Sequence, residues 1–238
     1  TATFMIAGDR CTRACGFCAV KTAKPLALEA DEPQRVAEAT KRMDLKHVVI
    51  TAVARDDVAD GGAEHFARTI EAVREANPRI IIEILVPDFN LKDDAIATVI
   101  DAAPHIFNHN IETVERLTAL VRSRAKYQRS LDVLKRAKEM AGERDMNVAT
   151  KSGMMLGLGE TEEEILTAMD DLITHGVTVL TLGQYLRPSA NHLPVIDYIH
   201  PDKFAEYKTI AEAKGFTHVA SGPLVRSSYH AADFDPTK

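Results

Sequence analysis

The chain has 238 residues, 45% of them hydrophobic and 27% charged, which suits one large domain with a buried core and excludes a disordered or fibrous chain. A formal charge of −6, with Lys and Arg scattered rather than clustered, argues against nucleic acid and anionic lipid as partners. No apolar run approaches the roughly 18 to 20 residues that cross a bilayer, and no secretory leader is legible, so no membrane partner is expected. The expected location is the cytoplasm, or an organelle matrix in a eukaryote.

Taken in chain order, Thr1 opens directly onto Phe4, Met5 and Ile6, which read as strand, and with no initiator Met the chain looks trimmed at its start. Strands are predicted over Phe4 to Gly8, His47 to Val53, Arg79 to Val86, Ile106 to Ile111, Asn147 to Leu156 and Val179 to Gly183. Between them, apolar residues recur every three or four positions: Val36, Thr40 and Met43; Phe66, Ile70 and Val73; Ile165, Met169 and Leu172. Asp31 with Gln34, and Thr161 with Glu164, have the capping-box form that starts helices. Asn77 with Pro78, and Gly142, Gly176 and Gly215, supply stops.

This strand-helix rhythm implies parallel strands with right-handed crossovers, hence an α/β fold that is either an open doubly wound sheet or a full or partial barrel. In either, function gathers at the carboxyl ends of the strands. Gln184 to His200 is the one long irregular stretch, and loops of that length are often functional.

All three cysteines fall in RCTRACGFC, spaced CxxxCxxC, directly after the first strand. An odd number of thiols in one glycine-containing loop suits neither disulfides nor a buried structural role. Structural zinc wants four ligands, and the nearest histidine, His47, has no paired ligand beside it. Three thiolates on a four-iron cube leave one iron open to an outside ligand, which is an arrangement for chemistry. The loop resembles the defining motif of the radical S-adenosylmethionine superfamily, with Phe17 in the usual aromatic position.

Further segments narrow the resemblance. ATFMIAGDRCTRACGFC, VVITAVARDDVADGGAEHF, LVPDF, FNHNIETV, TKSGMMLGLGET, LTLGQYLRPS and GPLVRSSYH together resemble the lipoyl synthase family across nearly the whole chain. The resemblance implies a partial (β/α)6 barrel over residues 1–220 and a carboxyl-terminal tail over 221–238 that carries RSSYH. It implies a 4Fe-4S cluster on Cys11, Cys15 and Cys18, S-adenosylmethionine as cofactor, and insertion of two sulfur atoms into an octanoyl chain carried by a protein or domain. A small electron-transfer protein is the implied reductant.

The family also implies a second, auxiliary 4Fe-4S cluster as sulfur source. Its cysteines lie in an upstream CxxxxCxxxxxC motif that this sequence does not contain, and its fourth ligand is a serine of the tail, Ser228 in preference to Ser227. A biotin-synthase-like sulfur inserter and a non-catalytic carrier-binding module are the rival readings; the RSSYH tail argues against the first.

Other candidates combine residue pattern with family analogy. Gly61 and Gly62 resemble the glycine-rich second motif that approaches the methionine moiety, against the plainer reading of a helix-entry turn. Asn108, Asn110 and Glu112 alternate, so a strand points them to one face, where Asn110 or Glu112 can bind ribose. His109, on the opposite face, reads as structural. Lys151 opens a glycine-rich strand suited to approach adenine, with Met154 and Met155 as core filler. Arg187 and Arg226 are candidates for a carboxylate or a peptide substrate, or else solvated.

Overall fold

The computed structural model describes residues 1–228, 231–234 and 236; Tyr229 and His230 of the RSSYH motif lie outside the described residues. The strands are β1 (Ala2–Ile6), the two-residue β2 (Arg10–Cys11) and β3 (Lys21–Thr22), then β4 (His47–Ala52), β5 (Ile81–Leu85), β6 (Ile106–Asn108), β7 (Ala149–Leu156), β8 (Val179–Gln184) and β9 (His218–Gly222). The helices are α1 (Glu32–Arg42), α2 (Ala63–Ala76), α3 (Asp93–Asp101), α4 (Glu115–Val121), α5 (Tyr127–Glu143), α6 (Glu162–Thr174) and α7 (Pro201–Lys214). Seven strands form one parallel sheet in the order β1-β4-β5-β6-β7-β8-β9, while β2 and β3 pair separately inside the cysteine loop. The architecture is the expected partial barrel, with one strand more than six.

That seventh strand, HVASG, has one buried residue in five, so neither alternation nor an apolar run marks it in the sequence. It runs to Gly222, past the boundary expected at residue 220. Four of the other strands, β4 to β7, are shorter than predicted; β8 runs on to Gln184, and β1 keeps its predicted length but starts at Ala2 and ends at Ile6. Ala7 and Gly8 turn left-handed (φ 65° and 90°) and lead the chain out of the sheet into the cysteine loop. Beyond Asn108, Glu112 turns left-handed (φ 65°) and makes only an isolated bridge to Met154.

The predicted helix faces pack, with Val36, Thr40, Phe66, Ile70, Val73, Ile165, Met169 and Leu172 all buried. Met43 is the exception: it caps α1 and is half exposed. Thr161 and Glu164 form the expected reciprocal box on α6. Asp31 does not cap α1. Its backbone is already helical (φ −93°, ψ −6°), and its carboxylate pairs with Arg35 Nε at 3.1 Å. Gly215 caps α7 at φ 112°, Gly176 follows the cap of α6 at φ 80°, and Gly142 lies inside the last turn of α5, which ends at Glu143.

A buried polar group occupies the barrel interior below the site. Lys151 Nζ donates to both oxygens of the fully buried Glu83, at 2.8 and 3.0 Å, and Asn108 Nδ2 donates to Glu83 Oε1 at 2.9 Å. His47 is buried nearby, and neither ring nitrogen finds a hydrogen-bond partner among the described residues. Burial, and then the charge of Lys151, lower the His47 pKa to about 4. A histidine whose folded pKa lies below its unfolded value withholds protons that the unfolded chain takes up, so stability falls as pH drops from about 6.5 toward 4. We expect the urea midpoint to fall between pH 7 and pH 5. His47→Leu removes no hydrogen bond and is expected to flatten that dependence; an equally steep fall in the variant would rule His47 out as its source.

Candidate functional site

The cysteine loop runs from Ala7 to Leu26 across the carboxyl end of β1, and neighbouring loops fix it by main-chain hydrogen bonds. Thr12 N donates to Ala54 O (3.1 Å), Gly16 N to Val121 O (2.9 Å), and Leu193 N to Gly16 O (3.0 Å). His192 Nε2 lies 3.1 Å from Cys18 O, so the irregular stretch after β8 packs on this loop. All three thiols are free and partly buried, and they line one cavity of about 280 Å³. Burial pushes the Cys15 thiol up to about 11, against the opposing charge of Arg122, and raises Cys18 as well. Both Cys15 and Cys18 are further raised by charge repulsion from Cys11, which lines the same cavity.

No group of three or more His, Cys, Asp or Glu among the described residues is gathered tightly enough for a single metal ion. A cube that presents a separate iron to each thiolate asks for sulfurs spread around a cavity. The loop meets that requirement, and it also offers peptide N–H donors to sulfur: Arg13 N to Cys11 Sγ (3.4 Å) and Val20 N to Cys18 Sγ (3.5 Å). The residues present fit a 4Fe-4S cluster.

A second cavity, of about 260 Å³, adjoins the first through Phe17, Leu85, Asn110 and Glu112, which line both. Asn110 Nδ2 donates to Glu112 Oε1 (3.1 Å), while Asn110 Oδ1 is buried with no hydrogen-bond partner among the described residues. Burial raises the Glu112 carboxyl, with Arg122 and Asn110 acting in the opposite direction. A Cβ on Gly153 would stand 2.5 Å from Thr181 Oγ1 and 3.0 Å from Asn110 Oδ1, so only glycine leaves the space beside that orphaned oxygen open. An adenosyl group with its ribose hydroxyls at Glu112 and Asn110 fits this geometry. Beyond it the wall is apolar, formed by Met155, Tyr185, Leu186 and Val225, with Arg226 and Ser227 at its edge.

Of the sequence candidates, Cys11, Cys15, Cys18, Phe17, Asn110, Glu112, Arg226 and Ser227 meet at the two cavities, and Ser228 is the next residue along. Five others do not reach them. Asn108 shares the inward face of Asn110 and Glu112 but lies deeper, bound with Lys151 to Glu83. Gly61 and Gly62 build the left-handed entry to α2, where a Cβ on Gly61 would stand 3.1 Å from the Phe89 ring. Arg187 is exposed and ties its own loop by donating to His192 O (2.9 Å) and Ala190 O. His109, expected to be structural, holds Val86 O at 2.8 Å and Ser130 Oγ at 3.0 Å and also lines the cysteine cavity.

Arg122 is the site residue that sequence reading missed. It is buried at the end of α4, donates to Ile111 O (3.1 Å) and Ser130 Oγ (2.8 Å), and lines the cysteine cavity. Nothing local distinguishes it from Arg116 or Arg124 before the fold turns it inward.

Residues 5–172 match the model of the radical SAM superfamily. The lipoyl synthase of Shouchella clausii is 60% identical over 97% of this chain and 74% of its own length. That of Rubrobacter xylanophilus is 59% identical over 97% and 71%. Among solved structures, Streptococcus suis SuiB bound to S-adenosylmethionine superposes with a TM-score of 0.73 at 13% identity, covering 99% of this chain and 54% of that one. Methylornithine synthase gives 0.66 at 13% identity, covering 95% and 73%. At such identity the structures speak to the fold alone, whereas the sequence relatives carry the family: this chain belongs to the lipoyl synthase family of the radical SAM superfamily.

Proposed function

We propose that this chain is the radical-generating barrel of a radical S-adenosylmethionine enzyme that, together with an auxiliary cluster, inserts two sulfur atoms into an octanoyl chain borne by a carrier protein, yielding a lipoyl group. The observation that carries the reading is the meeting of three free thiols with the Asn110–Glu112 pair around two continuous cavities. When bound, the cluster supplies the electron that releases a 5′-deoxyadenosyl radical from S-adenosylmethionine. The chain's own residues bind and enclose. Cys11, Cys15 and Cys18 hold the cluster, Arg122 contributes positive charge beside it, and Glu112 and Asn110 orient the ribose. The apolar wall of Met155, Tyr185, Leu186 and Val225 suits an alkyl chain and keeps water from a radical.

The 238-residue chain has three thiols, all at the first cavity, so we expect it to bind about four irons rather than eight. It should form 5′-deoxyadenosine with a reductant and S-adenosylmethionine, and no lipoyl group. Iron and sulfide counting checks the first statement, and stoichiometric lipoyl product without added sulfide would show the sulfur source to be misplaced. In protein that includes the upstream cysteines of the family, Ser228→Ala should spare uncoupled 5′-deoxyadenosine formation and impair lipoyl product. Equal loss of both would point to a general folding role for Ser228.

A further inference from the structure

Between Cys11 and Cys15 the loop turns one charged side chain into the protein. Arg13 is 7% exposed, and its guanidinium is held by two carboxylates from different loops. Nε and Nη2 donate to the two oxygens of Asp56 at 2.9 and 2.8 Å, and Nη2 also donates to Asp88 Oδ1 at 2.7 Å. Asp56 follows β4 and Asp88 follows β5. Asp88 is fully buried, accepts from Asn90 N (3.0 Å), and is gripped on its other oxygen by Arg129 Nε of α5 (2.8 Å). Thr12 Oγ1 adds a further tie, donating to Asp56 Oδ2 at 2.9 Å. Two carboxylates and two guanidinia thus form a neutral, geometrically fixed group that reaches from α5 to the centre of the cysteine loop.

At that same residue the backbone faces the other way. Arg13 N donates to Cys11 Sγ at 3.4 Å, so anchoring the side chain fixes the direction of an N–H aimed at a cluster ligand. Hydrogen bonds to the sulfurs help set the potential of an iron-sulfur cluster. Reduction adds negative charge to the cluster and its thiolates, so an N–H donor favours the reduced state.

We propose that Asp56 and Asp88 are positioning residues that hold Arg13 so that its peptide N–H tunes the potential of the cluster on Cys11, Cys15 and Cys18. The inference rests on the cluster site proposed above and adds a role for the ARDD segment, whose aspartate reaches the loop although its following glycines do not reach the cavity. Loss of the clamp loosens the N–H donation and makes the cluster harder to reduce. Removing a carboxylate's negative charge, acting through space alone, would make it easier to reduce. The two explanations therefore predict shifts of opposite sign.

The test is a one-electron redox titration, in which no bond forms or breaks, with dithionite as reductant and electron paramagnetic resonance as readout. It is run on the reconstituted chain without S-adenosylmethionine. At a fixed potential, Asp56→Ala and Asp88→Ala are expected to lower the ratio of reduced to oxidised cluster about tenfold, equivalent to about 59 mV for one electron. Arg13→Lys, which keeps the charge but not the two-pronged geometry, should fall in between. If a carboxylate-to-Ala variant does not retain cluster, Asp56→Asn carries the same sign prediction. A shift toward easier reduction, or a change under twofold in all variants, overturns the proposal while leaving the cluster site intact. Failure of the unaltered chain to bind any cluster overturns both.

Discussion

Cys15→Ala is expected to abolish formation of 5′-deoxyadenosine in the reconstituted, reduced protein. The three thiols line one cavity together with Arg122, whose charge acts on Cys15. Two thiolates leave two irons of a cube without protein ligands, so the open position is no longer defined. The variant should still fold, because Cys15 is only partly buried and in no disulfide. Cleavage of S-adenosylmethionine at the unaltered rate, with normal iron content, would refute the assignment of Cys15 as a ligand.

The largest effect on stability is expected at Lys151. Its ammonium and the Glu83 carboxylate are both buried, and Lys151→Met leaves that carboxylate with Asn108 Nδ2 as its remaining hydrogen-bond donor and the neutral His47 Nε2 3.9 Å away. Breaking one side of a buried pair costs about 3–5 kcal/mol, because the surviving charge is left without compensation. That is a large share of the roughly 5–15 kcal/mol that separates a folded domain from its unfolded chain. Combining Lys151→Met with Glu83→Gln should restore much of the loss, since neither charge then remains. Urea unfolding of the single and double variants measures this directly. A single-variant cost below about 1 kcal/mol would mean that Glu83 is neutralised or reached by water. A cofactor role for Lys151 would instead show as weakened S-adenosylmethionine binding at unchanged stability.

These two residues illustrate what the sequence makes legible. CxxxCxxC places its ligands through local spacing, so the cluster loop can be read from one segment. The alternation of Asn108, Asn110 and Glu112 suggests one face of a strand, but β6 ends at Asn108, which lies opposite Leu85 and reaches Glu83 with its side chain, while Asn110 and the left-handed Glu112 lie beyond the strand and line the cavity. Lys151 is legible as a polar residue on a strand, yet its partner lies 68 positions away. The Arg13–Asp88 contact spans 75 positions, and no local pattern announces it. Gly61 and Gly62 have the composition of a ligand-binding turn and instead serve the entry to α2, because Phe89 packs against the first of them. The edge strand β9 escapes detection for the opposite reason, since too few of its residues are buried to impose a pattern.

On the proposed reading, Cys11, Cys15 and Cys18 hold a cluster with an iron open to S-adenosylmethionine, beside Asn110 and Glu112. Electron paramagnetic resonance of the anaerobically reconstituted and reduced chain, recorded with and without S-adenosylmethionine, tests it most directly. The account predicts about four irons per chain and a spectrum that changes when S-adenosylmethionine is added, with the change lost in Glu112→Ala. A spectrum indifferent to S-adenosylmethionine would contradict it.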